Sequence, residues 1–168
     1  IAGIIYLKLH KIPVISGADM VAPFMALAHG IGRIGCFLNG CCWGAVTRFG
    51  YPWAVQFPKG SSCYRRQLRE KLISGDDLYS LPVHPTQLYE TLGNFMIFVI
   101  LLIIYKKHKH TGVVTLSYLT MYGGLRFVTE MFRGESARPV YGWLTASQTV
   151  ALGMLTFGLV AFFICSKF

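Results

Sequence analysis

Apolar residues in this chain come in long runs separated by short polar stretches. Ile1–Leu7 is apolar but far short of the ~20 residues that cross a bilayer. Lys8-Leu-His-Lys-Ile-Pro13 then reads as a short basic loop, with Pro13 ending any helix. A second apolar stretch runs from about Ala18 to Phe37. Its glycines, followed by Asn39, predict an irregular or partly re-entrant element rather than a plain lipid-facing span. Residues 44–83 are polar and rich in turns. They read as a water-exposed excursion with short strands around Tyr51–Phe57 and a short helix around Tyr64–Leu72.

Three long helices are expected after that. One opens at His84-Pro85, with proline in the first-turn position it favours, and stops at Lys106-Lys-His-Lys-His110. The next covers roughly Val113–Phe132. The last opens with Thr145-Ala-Ser-Gln148, the pattern of a capping box, and ends near Cys165. The pattern therefore predicts an all-α integral membrane protein of about four transmembrane or re-entrant helical elements with a small extracytoplasmic loop domain. Residues 1–43 would hold a partial first transmembrane helix, a cytoplasmic loop and a Gly-Arg helix. Residues 44–83 would form the extracytoplasmic loop region, and 84–168 three transmembrane helices. The opening run reads as a helix whose first half is missing, so a fragment or a shortened relative of something longer is expected.

Composition agrees. Hydrophobic residues make up 54% of the chain and charged residues only 14%, at a mean hydropathy of +0.49. A soluble domain carries roughly a quarter charged residues, which sets this chain in the membrane class. The net charge of +9 would suggest nucleic acid on a soluble protein. Beside these apolar runs it points to anionic lipid instead, with no nucleic acid. Lys8, Lys11, Lys106, Lys107, Lys109 and Lys167 fall on one side if the elements alternate, and short basic loops mark the cytoplasm. The expectation is a multi-pass protein of the bacterial inner membrane, with 44–83 outside and the Lys106–His110 loop cytoplasmic. The basic run Arg65, Arg66, Arg69, Lys71 reads by default as a solvated face.

Charges inside apolar runs carry the chemistry. Arg33 lies among Gly30, Gly32, Gly35, Gly40 and Gly44, and an arginine at bilayer depth costs roughly 2.5–3.5 kcal/mol on insertion scales. Tyr122, Arg126, Glu130 and Arg133 are separated by four, four and three residues and so share one helical face. They form either an ion-paired stripe that only joins helices or a ligand site. The excess of arginine over glutamate favours a ligand, and a phosphate would satisfy it through bidentate hydrogen bonds. His84, Gln87, Glu90 and Asn94 form a second stripe, with Tyr89 near the interface. Tyr89 is equally well an interfacial anchor and His84 a cap before Pro85. Glu90 needs a partner, supplied by Arg33 or one of the later arginines.

There are five cysteines, Cys36, Cys41, Cys42, Cys63 and Cys165. The odd, clustered set makes no disulfide framework. Cys36, Cys41 and Cys42 with His29 offer four ligand types, yet the spacing matches no zinc pattern, so packing as small residues is the expectation and no metal is assigned.

Three motifs resemble those of the prolipoprotein diacylglyceryl transferase family. Gly32-Arg-Ile-Gly-Cys-Phe-Leu-Asn-Gly40 with Trp43-Gly44 is similar to its Gly-Arg-x-Gly-x-Phe-x-x-Gly signature. His84-Pro-Thr-Gln-Leu-Tyr-Glu90 is similar to its His-Pro-[Ser/Thr]-Gln-Leu-Tyr-Glu element, and Tyr122-Gly-Gly-Leu-Arg-Phe-Val-Thr-Glu130 with Arg133 to its Tyr-Gly-x-x-Arg-x-x-x-Glu-x-x-Arg helix. Some members carry asparagine where this chain has Cys36 and an acidic residue where it has Cys41. The family also carries transmembrane segments and a His-Gly-Gly element upstream of the part matched by this chain.

The resemblance implies transfer of the diacylglyceryl group of phosphatidylglycerol to the lipobox cysteine thiol of a prolipoprotein signal peptide. A thioether forms, glycerol phosphate leaves and no cofactor is needed, since the lipid is itself the activated donor. The expected catalytic residues are Arg33, Arg126, Glu130 and His84. Contact with substrate is expected from Arg33, Asn39, Gly44, Glu90, Tyr89, Tyr122, Arg126 and Arg133. His29 and His84 are the local candidates for a base. The alternatives are a non-catalytic phosphatidylglycerol-binding protein, truncated or not, and an anion transporter that uses the same arginines.

Overall fold

The computed structural model describes residues 2–107, 110–133, 139–141 and 144–165. Lys109 and Lys167 of the basic loops lie outside them, as does the side chain of Cys165. The elements are, in chain order, α1 (Ala2–Leu9), α2 (Val14–Leu38), α3 (Ser62–Arg69), α4 (Thr86–Lys107), α5 (Val113–Met131), β1 (Pro139–Tyr141), β2 (Leu144–Thr145) and α6 (Ala146–Cys165).

The three later helices start and stop within a residue or two of the positions read from the sequence. At α6 the capping box is complete. The Gln148 backbone N–H donates to Thr145 Oγ1 at 3.1 Å, and the Thr145 N–H donates to Gln148 Oε1 at 3.0 Å. Three departures stand out. The glycine-rich stretch is not irregular: α2 is a continuous helix of 25 residues that runs past Arg33 to Asn39, its C-cap. Backbone hydrogen bonds and helix packing outweigh the roughly 1 kcal/mol per glycine that disfavours a helix. Nor does Tyr51–Phe57 form strands. Its pairing is limited to isolated bridges, Val55 with Val83 and Pro58 with Tyr79, and Val46 also meets Val83. Between α2 and α4 the helix is shorter than expected, Ser62–Arg69, started by Ser61, whose Oγ accepts from the Tyr64 N–H.

α2 and α4 are long and apolar enough to cross a membrane, and Ala146–Phe162 is a shorter apolar helix. The core between the long helices consists of Ala22, Ala26, Ile97, Leu101, Val114 and Tyr118. Large apolar side chains on the outer faces, such as Phe24, Leu92, Met96, Val99, Phe157 and Val160, stay exposed. That is the expected surface of helices surrounded by lipid. Small residues allow close approach. A Cβ on Gly123 would stand 2.8 Å from the Ala151 carbonyl oxygen, so α5 and α6 touch backbone to backbone there.

One buried carboxylate sets the start of α5. Gly112 caps that helix with a left-handed φ of 94° and offers no side chain to its free N–H groups. Asp19, on α2 and buried, supplies the missing acceptor: the Gly112 N–H donates to one carboxylate oxygen, and the Thr115 N–H and Oγ1 donate to the other at 2.8 and 2.6 Å. The segment between α2 and α4 has a small core of its own, Phe57, Cys63 and Val83, covered by Phe37, Trp43 and Val55. Buried polar groups join its ends. The Leu81 N–H donates to Gln67 Oε1 at 2.7 Å and the Phe57 N–H to Ser80 Oγ at 2.9 Å.

Candidate functional site

Glu90, one turn into α4, is buried at 1% exposure, and among the described residues its carboxylate is held by arginines. Oε2 accepts from Arg33 Nε at 2.8 Å, and Oε1 lies 2.7 Å from an Arg126 terminal nitrogen and 3.4 Å from one of Arg133. Three helices thus meet on one side chain. Arg33 comes from α2, Glu90 from α4, Arg126 from α5, and Arg133 from just beyond the end of α5.

A second carboxylate closes the cluster. Glu130 Oε2 lies 3.4 Å from Arg126 and 3.6 Å from Arg133, one helical turn away on either side. Its other oxygen accepts from Thr145 Oγ1 at 3.3 Å, and Ser147 Oγ lies 3.4 Å from Arg126. The start of α6 is tied to the cluster in this way. Among the described residues, three guanidiniums against two carboxylates leave one positive charge. The carboxylates are at most 4% exposed, whereas the arginines keep 16–19% of their side chains open. The fixed anions lie beneath, and the cationic edges face the accessible side. Such an array is built to receive an anion with planar, paired donors.

An apolar groove of about 700 Å³ lies on the same two helices. It is lined by Leu88, Tyr89 and Leu92 of α4, Leu125, Val128 and Thr129 of α5, Phe132, and Tyr51–Val55 of the loop. His84 stands outside the arginine cluster, against three residues that line the groove. Its Nδ1 is 3.3 Å from the Tyr89 hydroxyl, and its ring packs on Tyr51 and Phe132 at centroid distances of 5.0 and 5.5 Å.

The remaining expected site residues fall in three places. Tyr122 is one turn before Arg126 and stacks on His29 at 5.0 Å; His29 Nδ1 meets the Tyr118 hydroxyl at 3.0 Å. Asn39 is exposed at the end of α2, where its backbone N–H donates to the Gly35 carbonyl and the Gly40 N–H to that of Phe37. Gly44 joins the loop to both helices. Its N–H donates to the His84 carbonyl at 2.8 Å, and a Cβ there would stand 2.5 Å from the Phe132 carbonyl oxygen. Gly32 and Gly35, by contrast, have nothing within 4 Å of an added Cβ.

Asp19, Thr145 and Ser147 are the residues the sequence did not single out. Thr145 and Ser147 had a signal in hand, since the capping box places hydroxyls at the very start of α6. Arg66 of the basic run pairs with Glu70 at 2.8 Å, and Arg65, Arg69 and Lys71 are exposed, as a solvated face should be.

Fold and site together define a helical protein with two helices able to cross a membrane and, among the described residues, a net-positive arginine cluster between its helices. The chain belongs to the prolipoprotein diacylglyceryl transferase family, whose model matches residues 1–164. It is 36% identical over 146 residues to the phosphatidylglycerol–prolipoprotein diacylglyceryl transferase of Photobacterium profundum, covering 85% of this chain and 47% of that protein. It is 34% identical over 167 residues to the enzyme of the same name from Clostridioides difficile, covering 99% and 57%. The chain spans about half the length of the curated relatives it matches.

Proposed function

We propose that the protein transfers the diacylglyceryl group of phosphatidylglycerol to the cysteine thiol of a lipobox-bearing prolipoprotein. The single observation that carries this reading is the net-positive cluster of Arg33, Arg126 and Arg133 on Glu90, beside an apolar groove on the same helices. A phosphodiester with attached acyl chains fits both parts at once. The names of the relatives supply the two substrates.

In this reading the guanidiniums hold the phosphate and the groove takes apolar chain. The thiol sulfur attacks the glyceryl carbon bonded to the phosphate oxygen. A carbon–sulfur bond forms, the carbon–oxygen bond breaks, and the electron pair leaves on glycerol phosphate. Arginines fixed beforehand by Glu90 and Glu130 stabilise the charge that develops on the departing oxygen. His84, beside Tyr89, takes the thiol proton. Asn39 and Gly44 shape the approach, and Tyr122 backs Arg126. The long helices cross the bacterial inner membrane about four times, with residues 44–83 on the outer side and the Lys106–His110 loop in the cytoplasm. The prolipoprotein's signal peptide arrives through the bilayer.

The test is release of glycerol phosphate from vesicles of headgroup-labelled phosphatidylglycerol. Release that requires a lipobox peptide with its cysteine, and stops when that cysteine is serine, supports the reading. Release independent of the thiol would make the protein a lipase. Saturable anion flux without release would make it a transporter.

A further inference from the structure

Cys36, Cys41 and Cys42 were expected to be packing residues, because their spacing fits no zinc pattern. In space they converge: the three sulfurs lie within 4.8 Å of one another. Thiolates around one ion, at metal–sulfur distances of about 2.3 Å, stand roughly 4 Å apart. The three are therefore within a small side-chain movement of a binding geometry. His29 takes no part, since its ring is engaged by Tyr118 and Tyr122.

The backbone holds this arrangement from both sides. The Cys41 N–H donates to the Cys36 carbonyl at 3.0 Å, closing the turn at the end of α2. Gln87 Nε2 donates to the Cys41 carbonyl at 2.6 Å and Thr86 Oγ1 to the Cys42 carbonyl at 2.9 Å, so the start of α4 fixes the loop. Cys42 itself takes a left-handed φ of 61°, a conformation that costs a non-glycine residue of order 1 kcal/mol or more. The strained residue turns a third thiol onto the other two. Cys36 and Cys41 are half-buried and Cys42 is exposed, so an ion has a route in.

We infer that Cys36, Cys41 and Cys42 form a three-thiolate site for a thiophilic d10 cation, Zn(II) or Cu(I). Soft thiolates select these ions. On binding, each thiol releases its proton to solvent and each sulfur forms one bond to the metal, leaving a fourth position for water or a further ligand. The bound ion ties the end of α2 to the loop that leads to residues 44–83. The site stands one turn beyond Arg33 and is independent of whether the protein is a transferase.

The test uses the reduced protein in detergent, titrated with Co(II) as a spectroscopic stand-in and then with Zn(II) or Cu(I). One Co(II) per chain should bind with thiolate-to-cobalt charge-transfer absorption. Displacement by Zn(II) alone, or by Cu(I) at lower concentration, identifies the preferred ion. The triple variant C36S/C41S/C42S should lose the absorption with its helical circular dichroism intact, while C63S keeps it. C42S, which changes only the exposed thiol, should weaken binding at least tenfold. Zn(II) should also protect these three thiols from alkylation and raise the thermal midpoint of the wild type but not of the triple variant. No binding by the reduced wild type, or binding undiminished in the triple variant, would overturn the inference.

Discussion

Glu90 Oε1 and Arg126 meet at 2.7 Å across the α4–α5 interface, with the carboxylate 2% exposed and the arginine 16%. The burial is uneven, and the unevenness defines the site. A pair that served only to join helices would be covered equally on both sides. Here the anion is covered and the cation is left with an open edge. Arg33 and Arg133 share the arrangement, so one carboxylate orients three guanidiniums.

The first prediction concerns geometry against charge. Arg126→Lys keeps the positive charge but cannot span Glu90, Glu130 and a phosphate with one planar fork. Lipid turnover should fall at least tenfold, about 1.4 kcal/mol of transition-state stabilisation. Turnover near that of the wild type would remove the phosphate clamp from Arg126.

Glu90→Gln leaves three guanidiniums around a neutral amide. Removing one partner of a buried ion pair costs about 3–5 kcal/mol. The thermal midpoint in detergent should drop markedly. Glu70→Gln, at the exposed pair with Arg66, is the comparison and should change stability by less than about 1 kcal/mol.

Asp19→Ala removes the acceptor for two backbone N–H groups and a hydroxyl at the start of α5. The expected loss is about 1–3 kcal/mol of stability. Hydrogen exchange should speed up at residues 112–115 while the amides around Glu90 stay protected.

Gly44→Ala and Gly153→Ala form a matched pair. The first forces a methyl against the Phe132 carbonyl and should cost roughly 1–3 kcal/mol. The second meets nothing within 4 Å in mid-helix and should be neutral or stabilising by up to about 1 kcal/mol. Thermal unfolding of both variants checks the packing of the Gly44 loop.

Burial pushes the Cys63 thiol up to about 11. Native protein should therefore resist alkylation at Cys63 at pH 8, whereas exposed Cys42 labels readily. The folded state holds this proton more tightly than the unfolded chain. The stability linked to it is fully present below the ordinary thiol value near 9 and is lost as pH rises through about 11. Cys63→Ser should abolish that alkaline loss.

The last three helices were legible because apolar runs of helix length leave few alternatives, and the capping box at Thr145 marks the start of α6. The Tyr122–Arg126–Glu130–Arg133 stripe was equally plain, since four, four and three are helical spacings. Glu90 could be assigned a need for an arginine but not which one, because sequence spacing says nothing about contacts between helices. The answer was all three. Asp19 was missed for the same reason, its partners lying 93 and 96 residues away. Glycine misled in α2, where propensity suggested a break and packing kept the helix whole. The cysteine cluster escaped because thiols spaced five residues and one residue apart become a site only when Cys42 adopts a left-handed backbone.

The most direct measurement is mass spectrometry of a lipobox peptide incubated with the protein in phosphatidylglycerol vesicles, wild type beside Arg126→Ala. The expected result is a diacylglyceryl adduct on the peptide cysteine with the wild type and none with the variant, both proteins folded. An adduct formed equally by both, or none with a folded wild type that still retains the lipid, would contradict a transferase built on the Glu90–Arg126 cluster.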